Sequence, residues 1–134
     1  MPKSLARRVS RDDTGVVRSP SGLPTRYLVD GSIGSAEIFV AEQTLRPGDR
    51  VLLHTHPEDE VLVFRAGTGV AKLGDDEVTI GDGVTLFIPA GVVHGFGNTG
   101  KEELEVLVIF PGSSFADTTL LESGTGLAES TGLT

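Results

Sequence analysis

Apolar residues along this chain fall in short runs broken by glycine, proline and aspartate, and no window sustains the 3.6-residue period of an amphipathic helix. The pattern predicts strands over 35–45, 60–66, 70–73, 77–80, 84–88 and 104–110, with an edge strand at 27–29. Between them stand turn signals such as Asp30-Gly31-Ser32, Gly74-Asp75-Asp76, Gly81-Asp82-Gly83 and Pro89-Ala90-Gly91. The expectation is therefore an all-β domain with little helix. In 35–45 the alternation separates Ile38, Val40 and Glu42 from Phe39, Ala41 and Gln43, and leaves open which set faces inward. The run Val106, Leu107, Val108, Ile109, Phe110 is apolar on both faces, so a second sheet or a second subunit should cover its outer side.

Both ends read differently. Residues 1–24 alternate charged and small residues around a Ser19-Pro20-Ser21-Gly22 break, and the chain turns to Gly, Ser and Thr after Pro111. The expected organisation is a partly flexible arm over 1–26, a barrel over 27–115 and a mobile tail over 116–134.

A length of 134 residues permits one domain and one core. The absence of cysteine removes disulfide and thiol chemistry and is compatible with a reducing compartment. Nothing resembles a secretion signal or a membrane span, so the expectation is a cytoplasmic protein with no membrane partner. The net charge of -8 is uneven, because six of the eleven basic residues lie within the first 26 positions. From Tyr27 onward acids dominate, which argues against nucleic acid as a partner.

The chemistry concentrates in two stretches, 48–67 and 83–98, which hold all three histidines. On a strand, His54 and His56 point to one face, with Leu52 before them. After the Pro57-Glu58-Asp59 turn, Glu60 opens the returning strand, beside the histidines across a hairpin. His94 adds a third imidazole just beyond the Pro89-Ala90-Gly91 corner. Three neutral imidazoles and a carboxylate suit a first-row divalent metal and leave coordination positions open. A structural zinc is more often closed by four ligands with cysteine among them.

These stretches resemble the two motifs of the cupin superfamily. Gly48, His54, His56, Glu60 and Gly67 reproduce G-x5-H-x-H-x3,4-E-x6-G, and Gly83, Pro89, Gly91, His94 and Asn98 reproduce G-x5-P-x-G-x2-H-x3-N. The resemblance implies a single-domain jelly-roll β-barrel. It also implies one divalent transition metal per chain (Fe, Mn, Ni, Zn or Cu) held by His54, His56, Glu60 and His94. It does not fix a reaction. The reading taken forward is a metal-dependent enzyme acting on an oxygen-bearing small molecule, by dioxygenase-type oxidoreductase chemistry if the metal is Fe(II). The alternatives are isomerase, lyase or cyclase chemistry, or a binding or sensor protein without catalysis. With every histidine committed, proton transfer falls to Glu60, to Glu42 if it faces inward, or to Tyr27. Phe64, Leu86, Ile88 and Phe96 are candidates for an apolar cavity wall or equally for plain core packing, Arg65 for the outer face, and Asn98 for a turn whose side chain bonds the backbone. No Arg or Lys cluster lies between 48 and 98, which favours a small, partly apolar substrate over a sugar phosphate. A homodimer is expected from the two-faced strand and the N-terminal arm.

Overall fold

The short apolar runs fold into strands because β-branched and aromatic residues alternate with polar ones between turn residues. The computed structural model describes residues 6–128, so Lys3 and the last residues of the expected tail lie outside the described residues. In chain order the strands are β1 (Val16–Arg18), β2 (Pro24–Val29), β3 (Ile38–Leu45), β4 (Arg50–Thr55), β5 (Glu60–Ala66) and β6 (Thr68–Leu73). There follow β7 (Asp76–Gly81), β8 (Thr85–Ile88), β9 (His94–Asn98), β10 (Leu104–Pro111) and β11 (Thr119–Leu120). Among the described residues the helical segments are two single 3₁₀ turns, Arg11–Asp13 and Gly31–Ile33, and no helix could cross a membrane.

The strands form two antiparallel sheets, one of six in the order β1-β2-β3-β10-β5-β8 and one of five in the order β11-β4-β9-β6-β7. The fold is a jelly roll, as expected, but a two-sheet sandwich and not a closed barrel, because no ladder joins the sheet edges. β4 and β5 therefore do not form a hairpin. They lie in opposite sheets, and residues 56–59 carry the chain from one to the other.

The core lies between the sheets. Phe39, Ala41, Leu62, Phe64, Val106, Val108 and Phe110 enter it from the six-stranded sheet, and Val51, Ala71, Ile80 and Phe96 from the other. Phe64 meets Phe96 edge to face at 5.3 Å. Each large apolar side chain contributes about 1.5–3 kcal/mol by leaving water. The open question about β3 is thereby answered: Phe39, Ala41, Gln43 and Leu45 face inward. The strand begins at Ile38 and not at 35, because the Ser35 hydroxyl accepts from Ile38 N and donates to Ile38 O, which holds a turn there.

The two ends are built into the sandwich. Within the expected arm, β1 pairs with β2, and the Ser21 hydroxyl accepts a hydrogen bond from Leu52 N at 2.9 Å. Within the expected tail, β11 pairs with β4, Gly126 bonds both Ser21 and Arg50, and Ala128 N reaches Asp49. These segments bond through backbone groups, which a hydropathy pattern does not register.

β4 carries a bulge. Val51 pairs with Phe96 and His54 with His94, so Leu52 and Leu53 together oppose the single residue Gly95. The core cluster consequently takes Val51, while Leu52, expected to share the histidine face, is buried outside that cluster. A Cβ on Gly95 would lie 2.7 Å from Val51 O, so only glycine lets the bulged backbone pass. Gly95→Ala should cost about 1–3 kcal/mol of stability in urea denaturation. Gly15→Ala, whose Cβ would meet nothing within 4 Å, is the control and should change little.

Candidate metal centre

The bulge sets His54 directly opposite His94 on the neighbouring strand, with ring centroids 4.2 Å apart. His56 follows the end of β4, and Glu60 begins β5 in the other sheet. Two hydrogen bonds bring these segments to the His94 corner: Gly91 N donates to His56 O at 2.9 Å, and Ala90 N to the Asp59 carboxylate at 2.9 Å. Gly91 has φ +83°, a conformation open to glycine at little cost, which lets the chain reverse just before β9.

The four expected ligand residues come together with their donor atoms all within 4.8 Å of one another, and all four are buried. Each imidazole is held in the same way. Nδ1 of His54, His56 and His94 lies 2.6, 2.9 and 2.8 Å from the carbonyl oxygens of Leu52, Glu58 and Val92. A neutral ring that donates from Nδ1 keeps a lone pair on Nε2, the state a metal requires. Yet Nε2 of His56 and of His94 lie 3.2 and 2.9 Å from the same oxygen, Oε1 of Glu60. With the Nδ1 protons already engaged, these are acceptors facing an acceptor unless extra protons or a cation lie among them. A divalent cation resolves this without charging buried imidazoles, so the donor set fits a metal.

The electrostatics follow from the same crowding. Burial, and next the neighbouring His94, hold the His54 imidazole down from 6.5 to about 4. Burial also opposes protonation of His56, but the hydrogen bond and charge of Glu60 outweigh it and its pKa is raised. For Glu60 burial favours the neutral acid, while the bonds from His56 and His94 prevail and lower its pKa.

A narrow cavity of about 20 Å³, partly open to solvent, adjoins this cluster. Val51, Leu62, Phe96, Val108 and Phe115 form the apolar part of its wall, and Gln43 shares the cavity with His54 and Glu60. Of the four residues with two open readings, Phe96 lines the cavity, whereas Phe64 and Ile88 are core packing and Leu86 packs against the core. Two proton-transfer candidates are removed. Glu42 faces away from the cavity, where it is bound by Arg11 at 2.7 Å and by Arg65, which confirms Arg65 on the outer face. Tyr27 packs edge-on against Phe39 at 4.9 Å and does not line the cavity, and burial, then Asp30, raises its pKa. Asn98 holds its turn, accepting from Gly100 N and donating to the carbonyls of Leu45 and Glu102. Sequence reasoning missed Ser19, Ser21, Phe115 and Thr118, which reach the cavity from the two terminal segments. No local pattern marks them.

Three comparisons with known proteins bear on this site. A model of the cupin domain matches residues 41–110. Protein SchB of Streptomyces halstedii is 32% identical over 108 residues, 80% of this chain and 78% of that protein. The tetracenomycin polyketide synthase protein TcmJ of Streptomyces glaucescens is 25% identical over 105 residues, 78% of this chain and 70% of that one. Among solved structures, the polyketide cyclase RemF of Streptomyces resistomycificus has a TM-score of 0.76 at 24% identity, covering 96% of this chain and 94% of that one. The last likeness is one of fold.

The His54 shift sets a pH dependence for the metal-free protein. An unfolded chain protonates His54 near 6.5 and the folded one near 4, so stability from this group falls as pH drops through that window. His56 acts oppositely, since its raised pKa contributes stability that is complete below the unfolded value and fades as pH rises past the folded one. Without metal, His54→Gln should therefore lose less stability than the parent between pH 6.5 and 4 in urea titrations. Equal losses would show that burial does not hold His54 neutral.

Proposed function

The chain belongs to the cupin family, and from that premise we propose that it is a metal-dependent enzyme. His54, His56, Glu60 and His94 would hold one divalent transition metal, and the substrate is a small, enolisable or phenolic oxygen compound. The observation that carries this reading is the set of three Nδ1-tethered imidazoles converging with Glu60 in a cavity that, among the described residues, neither Arg nor Lys lines. The metal, when bound, supplies Lewis-acid polarisation of a substrate oxygen.

The chain's own residues supply the rest. Oε1 of Glu60 faces Nε2 of His56 and of His94, where it would join them on the metal, while Oε2 has no hydrogen-bond partner among the described residues and is free to take a proton. We assign Glu60 as the base. Its Oε2 takes the proton from the carbon beside a substrate carbonyl, the C–H pair moves into the enolate, and the proton is returned to the rearranged product. Val51, Leu62, Phe96 and Val108 exclude water from that exchange. Among the described residues no Lys or Arg lines the cavity to hold a second anionic group, and the polyketide association of TcmJ and RemF agrees with polycarbonyl or phenolic substrates. Such proton transfer is non-oxidative isomerase or cyclase chemistry. Dioxygenation is the second reading, because three imidazoles and a carboxylate also suit Fe(II).

The test is a screen of β-diketones, catechols and flavonols under air and under nitrogen, with metal-free protein as control. Turnover should require metal and persist under nitrogen, and strict dependence on air would select the second reading. Glu60→Gln should lower turnover by roughly 10²–10⁴ while keeping much of the metal, whereas His94→Ala should lose the metal by elemental analysis. Turnover that survives both metal removal and Glu60→Gln would place the chemistry elsewhere.

The homodimer also stands as a proposal. On the outer face of the six-stranded sheet, Val29, Val40, Ile109, Val61 and Phe87 align in one cross-strand row, and Phe87 is 61% exposed. Glu42, the buried carboxylate of this face, is paired with Arg11 and Arg65, so a second copy covering the apolar row would not bury an unpaired charge there. Light scattering should give twice the 14.0 kDa chain mass, and Phe87→Glu should return the monomer.

A further inference from the structure

Gln43 is the one polar residue on the inward face of β3, between Ala41 and Leu45. Across the sheet its row continues through Thr25 on one side and Val106 and Phe64 on the other. A glutamine 3% exposed in such a row has three further hydrogen-bonding sites to satisfy once its one observed bond is made. Packing alone would be better served by an apolar residue.

The one bond it makes fixes how its amide points. The Thr25 hydroxyl donates its only proton to Leu23 O at 3.0 Å, so toward Gln43 it can only accept, and it does so from Nε2 at 3.3 Å. The amide nitrogen is thus held at the β2 side, and Oε1 is left without a partner among the described residues. Gln43 lines the same cavity as His54 and Glu60, whose own Oε2 is also without a donor. Among the described residues the cavity is also lined by the hydroxyls of Ser19, Ser21 and Thr118 and by no Lys or Arg, and none of those hydroxyls bonds Gln43 Oε1 or Glu60 Oε2. A ligand that pairs with Gln43 Oε1 must bring a proton of its own.

We propose that Gln43 is a specificity-determining residue: its Oε1 accepts a hydrogen bond from a hydroxyl that the ligand carries beside its metal-binding oxygens. The site then prefers vicinally hydroxylated enols or phenols to analogues lacking that extra O–H, and Thr25 is the positioning residue that aims the amide. This rests on the metal-site reading above but not on turnover.

The experiment compares pyrogallol with catechol, which has the same chelating pair and one hydroxyl fewer, by calorimetric titration of the Zn(II)-loaded full chain under nitrogen. The parent should bind pyrogallol about tenfold more tightly. Gln43→Met, of similar volume, should erase that preference by weakening pyrogallol while leaving catechol unchanged. Thr25→Val, which keeps Gln43 but frees its amide, should reduce the preference and serves if Gln43→Met does not fold. The proposal is overturned if the loaded parent binds neither probe, shows no preference, or if the preference survives in the folded variants. Discrimination by Gln43 with no turnover in any screen would sink the enzyme reading and leave this one standing; turnover with unaltered discrimination would do the reverse.

Discussion

Each imidazole of the cluster gives its Nδ1 proton to a backbone carbonyl two positions away in its own segment, and the rest of the site depends on those three bonds. They fix the tautomer, so Nε2 is left to act, and they fix the ring plane, so the Nε2 atoms converge. Because the acceptors are main-chain groups, the orientation of each ring is a property of the local backbone path. A distortion of β4, of the 56–59 crossing or of the approach to β9 would therefore be felt as a misdirected lone pair before it was felt as lost packing.

The crossing at 56–59 shows how the two-sheet architecture makes the centre. His54 and His94 are cross-strand neighbours in one sheet, while Glu60 begins a strand of the other. Glu60 thus brings an anionic donor to the imidazoles from the opposite wall, and a metal held there would tie the sheets together. The bonds from Gly91 to His56 and from Ala90 to Asp59 keep the two corners together without it. The site is thus positioned by the scaffold more than by the ligands themselves.

Charge is disposed differently on the two faces of the six-stranded sheet. Glu42 and Gln43 are adjacent on β3 and both buried, yet they do opposite things. Glu42 points outward into two guanidinium groups that hold its pKa low against the opposing effect of burial. Gln43 points inward with one protein hydrogen bond and an unspent acceptor. A strand that alternates in this way delivers an ion pair to the exterior and a neutral polar group to the cavity, where an unpaired charge would be far more costly.

The sequence by itself determined the all-β class, most strand positions and the four residues of the centre, because strand periodicity and the spacing of His54, His56, Glu60 and His94 are local properties. β5 falls where the pattern places it, and Arg65 and Asn98 have their expected surroundings. Only the tertiary structure decided which face of β3 is inward, since alternation is symmetric until a second sheet defines a core. It also decided that 54–56 and Glu60 belong to different sheets, because a turn signal does not say whether the chain folds back on its own strand or crosses a gap. The bulge at Leu52-Leu53 needed Gly95 on another strand to be legible. The terminal segments that deliver Ser19, Ser21, Phe115 and Thr118 to the cavity are held through backbone hydrogen bonds and long-range contacts, and these leave no trace in the pattern of side chains along the chain.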